Sequence, residues 1–362
     1  MNQEMESIKK ELATFIVQQT ATEEEYERLA LKIFANQFRC NQPYRRFCQQ
    51  KGKTLRTVKT WRDIPAVPIN AFKETTLSCI DPAEAGAVFM TSGTTTSVRG
   101  KHYHPDTEIY DLSMKTFFKQ MVMQEFEHIK MGVLFPDESH MPNSSLAHYL
   151  EVGAKAFGIG KTNFYIKGED IDYETLTADL KAAMAADEPF LLLGATYSLA
   201  RVMDYFEEKK EKFALPKGSR LFDTGGFKSY KQQMTLDEFY DRLSETFGVP
   251  RGRCINMYGM TELSTEYYSK SSQEVPAAMY GPHWMRTRFI DPLSGEDVPK
   301  GECGVIVHYD LANYNSVIAL LTEDMGYEKE DGFVLLGRVE GSEAKGCSLS
   351  LEEFMKAVGS DG

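Results

Sequence analysis

The chain has 362 residues, a formal net charge of −12 and a composition that is 42% hydrophobic and 12% aromatic. That apolar fraction suffices for a packed core and excludes a mainly disordered chain. The acid excess excludes a general binder of nucleic acid or of an anionic membrane surface, while leaving room for a local basic pocket. Cys40, Cys48, Cys79, Cys254, Cys303 and Cys347 form no CxxC pair and no Cys/His zinc spacing, so the sequence predicts reduced thiols and no structural metal. The N-terminus is charged and amphipathic, without a signal-peptide core, and the longest apolar stretch, near residues 190–200, is too short to span a bilayer. These features predict a cytoplasmic protein.

In chain order, Ile8, Leu12, Phe15 and Ile16 fall on one helical face. Thr22-x-x-Glu25 reads as a capping box for a second helix with Tyr26, Leu29, Ala30 and Ile33 on its buried face. The prolines of Asp63-Ile-Pro-Ala-Val-Pro-Ile-Asn-Ala-Phe-Lys73 predict an extended connector. From about residue 86, short apolar runs alternate with amphipathic stretches. The runs begin at Ala87, Gly132, Phe190, Arg220, Cys254, Gly304 and Phe333, and Tyr110, Met114, Phe117, Phe118 and Met121 sit at helical spacing between two of them. Strands separated by helices predict an α/β layered fold. Asp291-Pro-Leu-Ser-Gly295 reads as a turn between late strands, and His102-x-His104 as loop.

Several strand ends carry residues with chemistry. Thr91, Ser92, Gly93, Thr94 and Thr95 open a loop that ends in Arg99-Gly-Lys101. Its backbone N–H groups and hydroxyls suit phosphate oxygens, with Arg99 or Lys101 as the neutralising cation. It is not a Walker A loop, and a solvated Ser/Thr/Gly loop is the plain alternative. Asp223-Thr-Gly225-Gly226 follows a strand and permits close approach to a planar ligand. In Tyr258-Gly259-Met-Thr261-Glu262, the ring can stack on a base, the hydroxyl can bond phosphate and the carboxylate can hold Mg²⁺. Asp324 suits a ribose, with Arg338 in reach of the same nucleotide.

The order of these pieces, from Thr91 to Lys345, resembles the adenylate-forming superfamily of acyl-CoA synthetases, peptide-synthetase adenylation domains and firefly luciferase. The resemblance implies an adenylate-forming α/β core over residues 86–337, preceded by a helical segment over 1–85 and followed by a short tail over 338–362. It implies ATP and Mg²⁺ as cofactors: the 91–96 loop on phosphates, Gly225 and Gly226 along adenine, Tyr258 stacked on it, Glu262 on magnesium, Asp324 on ribose and Arg338 at a hinge. Thr96 and Glu323 stand where that family has glycine. With 24 residues after Arg338, the family's usual lysine-bearing C-terminal domain, on the order of a hundred residues, is expected to be truncated or absent.

Among the branches of this superfamily, the segments 64–73, Ser139-His140-Met-Pro-Asn-Ser-Ser-Leu-Ala-His148 and Gly337-Arg338 to Leu349 are similar to the acyl-protein synthetases of bacterial bioluminescence. That likeness implies ATP-dependent activation of a carboxylic, fatty acid to an acyl-adenylate, transfer to a protein thiol, mapped here to Cys347, and an acyl reductase as partner. Lys345 beside that thiol would favour the thiolate. His140 and His148 fall where the superfamily places its acyl pocket. A coenzyme A or carrier-protein ligase of the same fold is the alternative, and a non-catalytic nucleotide- or partner-binding homologue is the alternative of another class.

Overall fold

The computed structural model describes residues 3–92, 98–225, 234–339 and 341–359. In chain order its helices are α1 (Gln3–Ile16), α2 (Glu23–Cys40), α3 (Gln42–Gln50), α4 (Ala71–Glu74), α5 (Glu108–Phe118), α6 (Ser145–Phe157), α7 (Tyr173–Ala186), α8 (Thr196–Glu208), α9 (Leu236–Phe247) and α10 (Ser342–Val358). The strands are β1 (Val67–Pro68), β2 (Ala87–Met90), β3 (Lys101–His104), β4 (Lys130–Leu134), β5 (Asn163–Phe164), β6 (Ile166–Lys167), β7 (Asp170–Ile171), β8 (Phe190–Ala195), β9 (Arg220–Thr224), β10 (Cys254–Tyr258), β11 (Tyr267–Ser269), β12 (Ala278–Tyr280), β13 (Met285–Ile290), β14 (Gly304–Asp310), β15 (Ala319–Lys329) and β16 (Gly332–Arg338). They divide into two compact units. The first is Met1–Ser113, Met260–Thr265 and Gly281–Gly362; the second is Met114–Gly259 and Glu266–Tyr280.

In the first unit, α1 buries Ile8, Leu12, Phe15 and Ile16, the face the spacing predicts. The capping box of α2 is complete. Glu25 N donates to Thr22 Oγ1 at 3.2 Å and Thr22 N to Glu25 Oε2 at 2.8 Å, so two otherwise orphaned donors are satisfied. Strands β13, β14, β15 and β16 run antiparallel in that order, and β1 pairs parallel with β15 through Val67↔Leu320 and Pro68↔Leu321. The connector is therefore extended only around its second proline. Beyond it the chain is free to turn, and Phe72 N and Lys73 N donate to Ile69 O and Asn70 O to start α4. Strands β2 and β3 form a hairpin that ends at Met90↔Lys101 and so carries the 91–100 loop. His102 and His104 thus lie on a strand rather than in a loop. Both are buried, at alternate positions on one face, as the period of two requires.

In the second unit, β5, β4, β8, β9 and β10 are parallel neighbours in that order, and β11 and β12 continue the sheet antiparallel. Helices α6, α7, α8 and α9 lie between successive parallel strands in sequence, the crossover pattern that parallel pairing demands. The apolar faces of α7, α8 and α9 form a core with the sheet, including Leu176, Leu180, Leu192, Leu199, Phe206, Leu221, Phe239 and Phe247. Such sheets bind ligands beyond the carboxyl ends of their strands. The ends of β8, β9 and β10 carry Thr196, Gly225 and Gly259.

The reading of six reduced cysteines needs one correction. Cys40 and Cys79 are joined as a disulfide, their Cα atoms 4.8 Å apart. The approach is fixed by neighbours: Cys79 N donates to Asn315 O at 2.9 Å, and Asn41 Nδ2 to Ser316 O at 3.1 Å. Cys48, Cys254, Cys303 and Cys347 are free thiols.

Candidate active site

In the second unit, the strand ends are braced from below by Asp223. Its carboxylate accepts from Tyr240 OH at 2.9 Å, Asn256 Nδ2 at 2.7 Å and Thr196 Oγ1 at 3.1 Å. Burial nevertheless dominates and pushes its pKa up to about 6. Thr196 also donates to Thr224 O at 3.1 Å, which ties the start of α8 to the turn at Gly225. Gly225 has φ +98°, a conformation side chains rarely adopt, so glycine is required there by the backbone itself. Tyr258 is buried, with its ring 6.0 Å from that of Tyr267. A side chain at Gly259 would meet Glu266 Cγ at 3.1 Å, so the turn after β10 is closely packed.

The first unit gathers most of the remaining expected residues. Thr91 closes the base of the 91–100 loop. Its N–H donates to Gly100 O at 3.0 Å, and its hydroxyl accepts from Gly100 N at 2.9 Å. Arg99 donates to Thr91 O at 2.6 Å and Met90 O at 3.2 Å, so its guanidinium is engaged by main-chain carbonyls. Ser92 and Lys101 are exposed. Gly93, Thr94, Thr95, Thr96 and Gly226 lie outside the described residues.

Glu262 is 7% exposed. Burial pushes its pKa up to about 7, with Asp324 adding to the rise and Lys73 and Arg338 opposing it. Asp324 and Arg338 are cross-strand partners on β15 and β16, with Nε and Oδ1 3.6 Å apart. Glu323, in the place of a family glycine, has a structural use. One carboxylate oxygen accepts from Asn70 Nδ2, and the other pairs with Arg338 Nη1 at 2.9 Å. It therefore ties α4 to the end of β16.

Two residues at this site escaped sequence reading. Lys73 donates to Asn70 Oδ1 at 2.8 Å, and a Cβ on Gly100 would lie 3.5 Å from Lys73 Cγ. His102 spans the Thr261 carbonyl and the Ser316 hydroxyl, at 2.9 Å from each ring nitrogen. A carbonyl only accepts, so Nδ1 carries the proton and Nε2 accepts from Ser316. Burial holds the ring's pKa down to about 4, so it is neutral. With Asn313 Nδ2 on Glu262 O at 2.8 Å, it fixes the backbone of the Thr261–Glu262 pair.

Cys347, on α10, lies with Sγ 3.8 Å from Thr322 O, next to Glu323. It is 7% exposed, and burial, then the Glu323 carboxylate, push its thiol up to about 11. This is opposite to the activation expected from Lys345, whose side chain lies outside those described.

His140 and His148 are both bound to acids of their own segment. Nδ1 of exposed His140 is 2.8 Å from Asp137 Oδ1, and Nδ1 of His148 is 2.8 Å from Glu138 Oε1. A cavity of about 600 Å³ beside α6 is lined by Asp137, Glu138, Glu151, Lys155, Thr162 and Phe164 among others, a mixed polar and apolar lining.

This arrangement has counterparts in known proteins. The family model described as "Acyl-protein synthetase, LuxE" matches residues 12–356. The chain belongs to that family. It is accordingly a ligase of the acyl-activating, acyl-transferring kind. Among curated members, it is 24% identical over 346 residues to the long-chain-fatty-acid–luciferin-component ligase of Vibrio harveyi, covering 92% of this chain and 89% of that one. It is 24% identical over 349 residues to the ligase of the same name from Aliivibrio fischeri, covering 91% and 88%. Among solved structures, an open conformation of 2-hydroxyisobutyryl-CoA ligase, in complex with 2-HIB-AMP and CoA, matches with TM-score 0.63 at 16% identity, covering 88% of this chain and 77% of that one. ATP-bound MatB from Rhodopseudomonas palustris matches with TM-score 0.51 at 17% identity, covering 72% and 49%. The fold is that of adenylate-forming ligases. Among the described residues, no helix is long and apolar enough to cross a membrane.

Proposed function

We propose that the chain uses ATP to activate a long-chain fatty acid as its acyl-adenylate, passes the acyl group to Cys347, and delivers it to an acyl reductase. The curated relatives' names support the acid, and the nucleotide complexes of the structural neighbours support ATP. The observation that carries the proposal is the place of Cys347, whose sulfur lies 3.8 Å from Thr322 O, one residue before Glu323 and two before Asp324. The thiol proposed to accept the acyl group thus adjoins the residues proposed to hold the nucleotide.

A carboxylate must attack the α-phosphate of ATP, and two anions repel. Glu262 fits a magnesium ion that arrives with the nucleotide, since Mg²⁺ needs one or two carboxylates and completes its shell with phosphate and water. Bound there, the ion neutralises phosphate charge. The chain's own part is positional. The Thr91–Gly100 clasp holds the phosphate loop, His102 and Asn313 hold Thr261 and Glu262, and Asp324 is set to accept from ribose hydroxyls. The attack forms a carboxylate–phosphorus bond and expels pyrophosphate. Thiolate attack on the acyl carbon then expels AMP.

One observation favours a second reading. A thiol that is 7% exposed, with its pKa pushed up to about 11, is protonated and shielded. In this state an external thiol such as coenzyme A has the advantage. ATP–pyrophosphate exchange across acids from acetate to palmitate tests adenylation. Labelled palmitate with ATP and Mg²⁺ then tests the acceptor. A hydroxylamine-sensitive acyl-enzyme lost in Cys347→Ser supports the first reading, whereas none in the parent chain and undiminished acyl-CoA formation in the variant supports the second.

A further inference from the structure

We infer that Lys73 is a catalytic cation of the adenylation step, its ammonium binding a phosphate of the nucleotide over Glu262. The inference rests on the adenylation reading and adds to it a residue from outside the expected motifs. Its position is the first argument. Lys73 Cγ lies 3.5 Å from where a Cβ on Gly100 would stand, so its stem runs along the closing end of the phosphate loop. The residue before it, Phe72, packs its ring on His102, which bonds the Thr261 carbonyl next to Glu262. The lysine is therefore mounted beside the loop proposed for phosphate, on a residue that packs against the holder of the Thr261–Glu262 pair.

Its mounting is the second argument. Phe72, the preceding residue, is 2% exposed, and its ring meets His102 edge-on at 5.6 Å between centroids. Ala71 is fully buried, and Phe72 N and Lys73 N bond back to Ile69 O and Asn70 O. The backbone that presents the lysine is thus part of the core, while the side chain itself is exposed.

Availability is the third argument. An ammonium has three donors. Among the described residues Lys73 uses one, on the neutral Asn70 Oδ1 at 2.8 Å. Of the other cations of this cluster, Arg338 pairs with Glu323 and Asp324 and Arg99 bonds two main-chain carbonyls, while Lys101 is exposed at the start of β3. Lys73 is a positive charge beside the site with no acid bound to it among the described residues. The substrate carboxylate bonds to the α-phosphorus, the bond to pyrophosphate breaks, and pyrophosphate leaves with the electron pair.

Three variants test this by ATP–pyrophosphate exchange and by calorimetric titration of ATP with Mg²⁺. Removing one preorganised charge stabiliser costs on the order of a hundredfold in turnover, which is the loss expected of Lys73→Ala. Lys73→Arg keeps the charge and should recover at least tenfold of it. Asn70→Ala removes the anchor but keeps the ammonium, and should lose less than Lys73→Ala. Lys73→Ala exchanging within twofold of the parent would overturn the inference and leave adenylation standing. Equal losses in all three, with equally lowered melting temperatures, would make Lys73 a structural tie and overturn it too. A parent chain that binds ATP but exchanges no acid still decides the point, since equal ATP affinity in Lys73→Ala overturns it and a tenfold weakening upholds it. A parent that binds no ATP sinks the adenylation reading and this inference together.

Discussion

The sulfur of Cys347 lies 3.8 Å from the main-chain oxygen of Thr322, so α10 seats its thiol against β15. What holds α10 there is its packing on α3, together with a hydrogen bond from Arg46 Nη1 to Val358 O at 2.9 Å and an ion pair between Lys51 and Glu353. Phe354 is fully buried, with its ring 5.1 Å from that of Phe47 on α3. A Cβ on Gly346 would stand 2.7 Å from Pro292 Cβ, closer than real contacts allow. Phe354→Ala removes a core ring, a change worth about 3–5 kcal/mol in a fully packed site. If α10 opens as a local unit, most of that loss appears as release of the helix. The expected result, in a background with exposed Cys303 replaced by serine, is at least tenfold faster labelling of Cys347 by a disulfide reagent in Phe354→Ala and in Gly346→Ala. An unchanged rate with a lowered global melting temperature would show that α10 is no separate unit.

Glu262 predicts a trade between stability and activity. Burial raises its folded pKa to about 7 from the usual 4.5 of a glutamate. The folded chain therefore binds this proton more tightly than the unfolded chain does. The charged form costs stability in full above pH 7, and that cost is relieved as pH falls from about 7 to 4.5. Glu262→Gln removes it. Urea unfolding at pH 8 should find the variant more stable by on the order of 2–3 kcal/mol, with the gap closing by pH 4.5, while pyrophosphate exchange is lost. A variant less stable than the parent at pH 8 contradicts the burial account.

Several elements were legible because one signal sufficed. Strand β8 is a continuous apolar run buried on both faces, and Thr22 with Glu25 makes its cap from four adjacent residues. The order of Thr91, Gly225, Tyr258, Asp324 and Arg338 carried the resemblance to the superfamily whose fold the chain adopts. Strand β3 was not legible, since Lys-His-Tyr-His has neither an apolar run nor a β-branched residue, and the partners of its buried His102, Thr261 and Ser316, lie far along the chain. Lys73 was hidden for a related reason. Its value comes from Gly100 and Glu262, far along the chain, and the connector's prolines concealed the turn that presents it. The protonation of Cys347 depends on burial against β15, which no local pattern encodes.

The Cys40–Cys79 bond joins residues 39 apart in sequence. Chain-entropy reasoning gives a loop of that size about 4 kcal/mol of stabilisation. Peptide mapping without reductant should recover the linked pair, and Cys40→Ser with Cys79→Ser should lower the urea midpoint accordingly. Since Cys79 N holds Asn315 O, next to the Ser316 that bonds His102, loss of the bond should also weaken exchange. Equal midpoints with and without a dithiol reductant would show that the pair contributes nothing.

His102 predicts an acid limit of the opposite sign to Glu262. Burial lowers its folded pKa to about 4 from 6.5, with the Thr261 carbonyl partly opposing the shift. Protonation therefore favours the unfolded chain. The stability is fully present above pH 6.5 and is lost as pH falls towards 4, by up to about 3 kcal/mol from this residue. His102→Asn does not titrate, and its amide nitrogen replaces Nδ1 as donor to Thr261 O. Subtracting the variant's unfolding free energy from the parent's at each pH cancels the carboxylates. The difference should fall steadily between pH 6.5 and 4. His102→Leu, which leaves both partners unsatisfied, should lose a further 1–3 kcal/mol per buried group. It should also raise the KM for ATP more than His102→Asn does, because the donor to Thr261 O is gone. Parallel pH curves for parent and His102→Asn would mean that the ring is not held neutral, and equal KM values for the two variants would remove its part in placing Glu262.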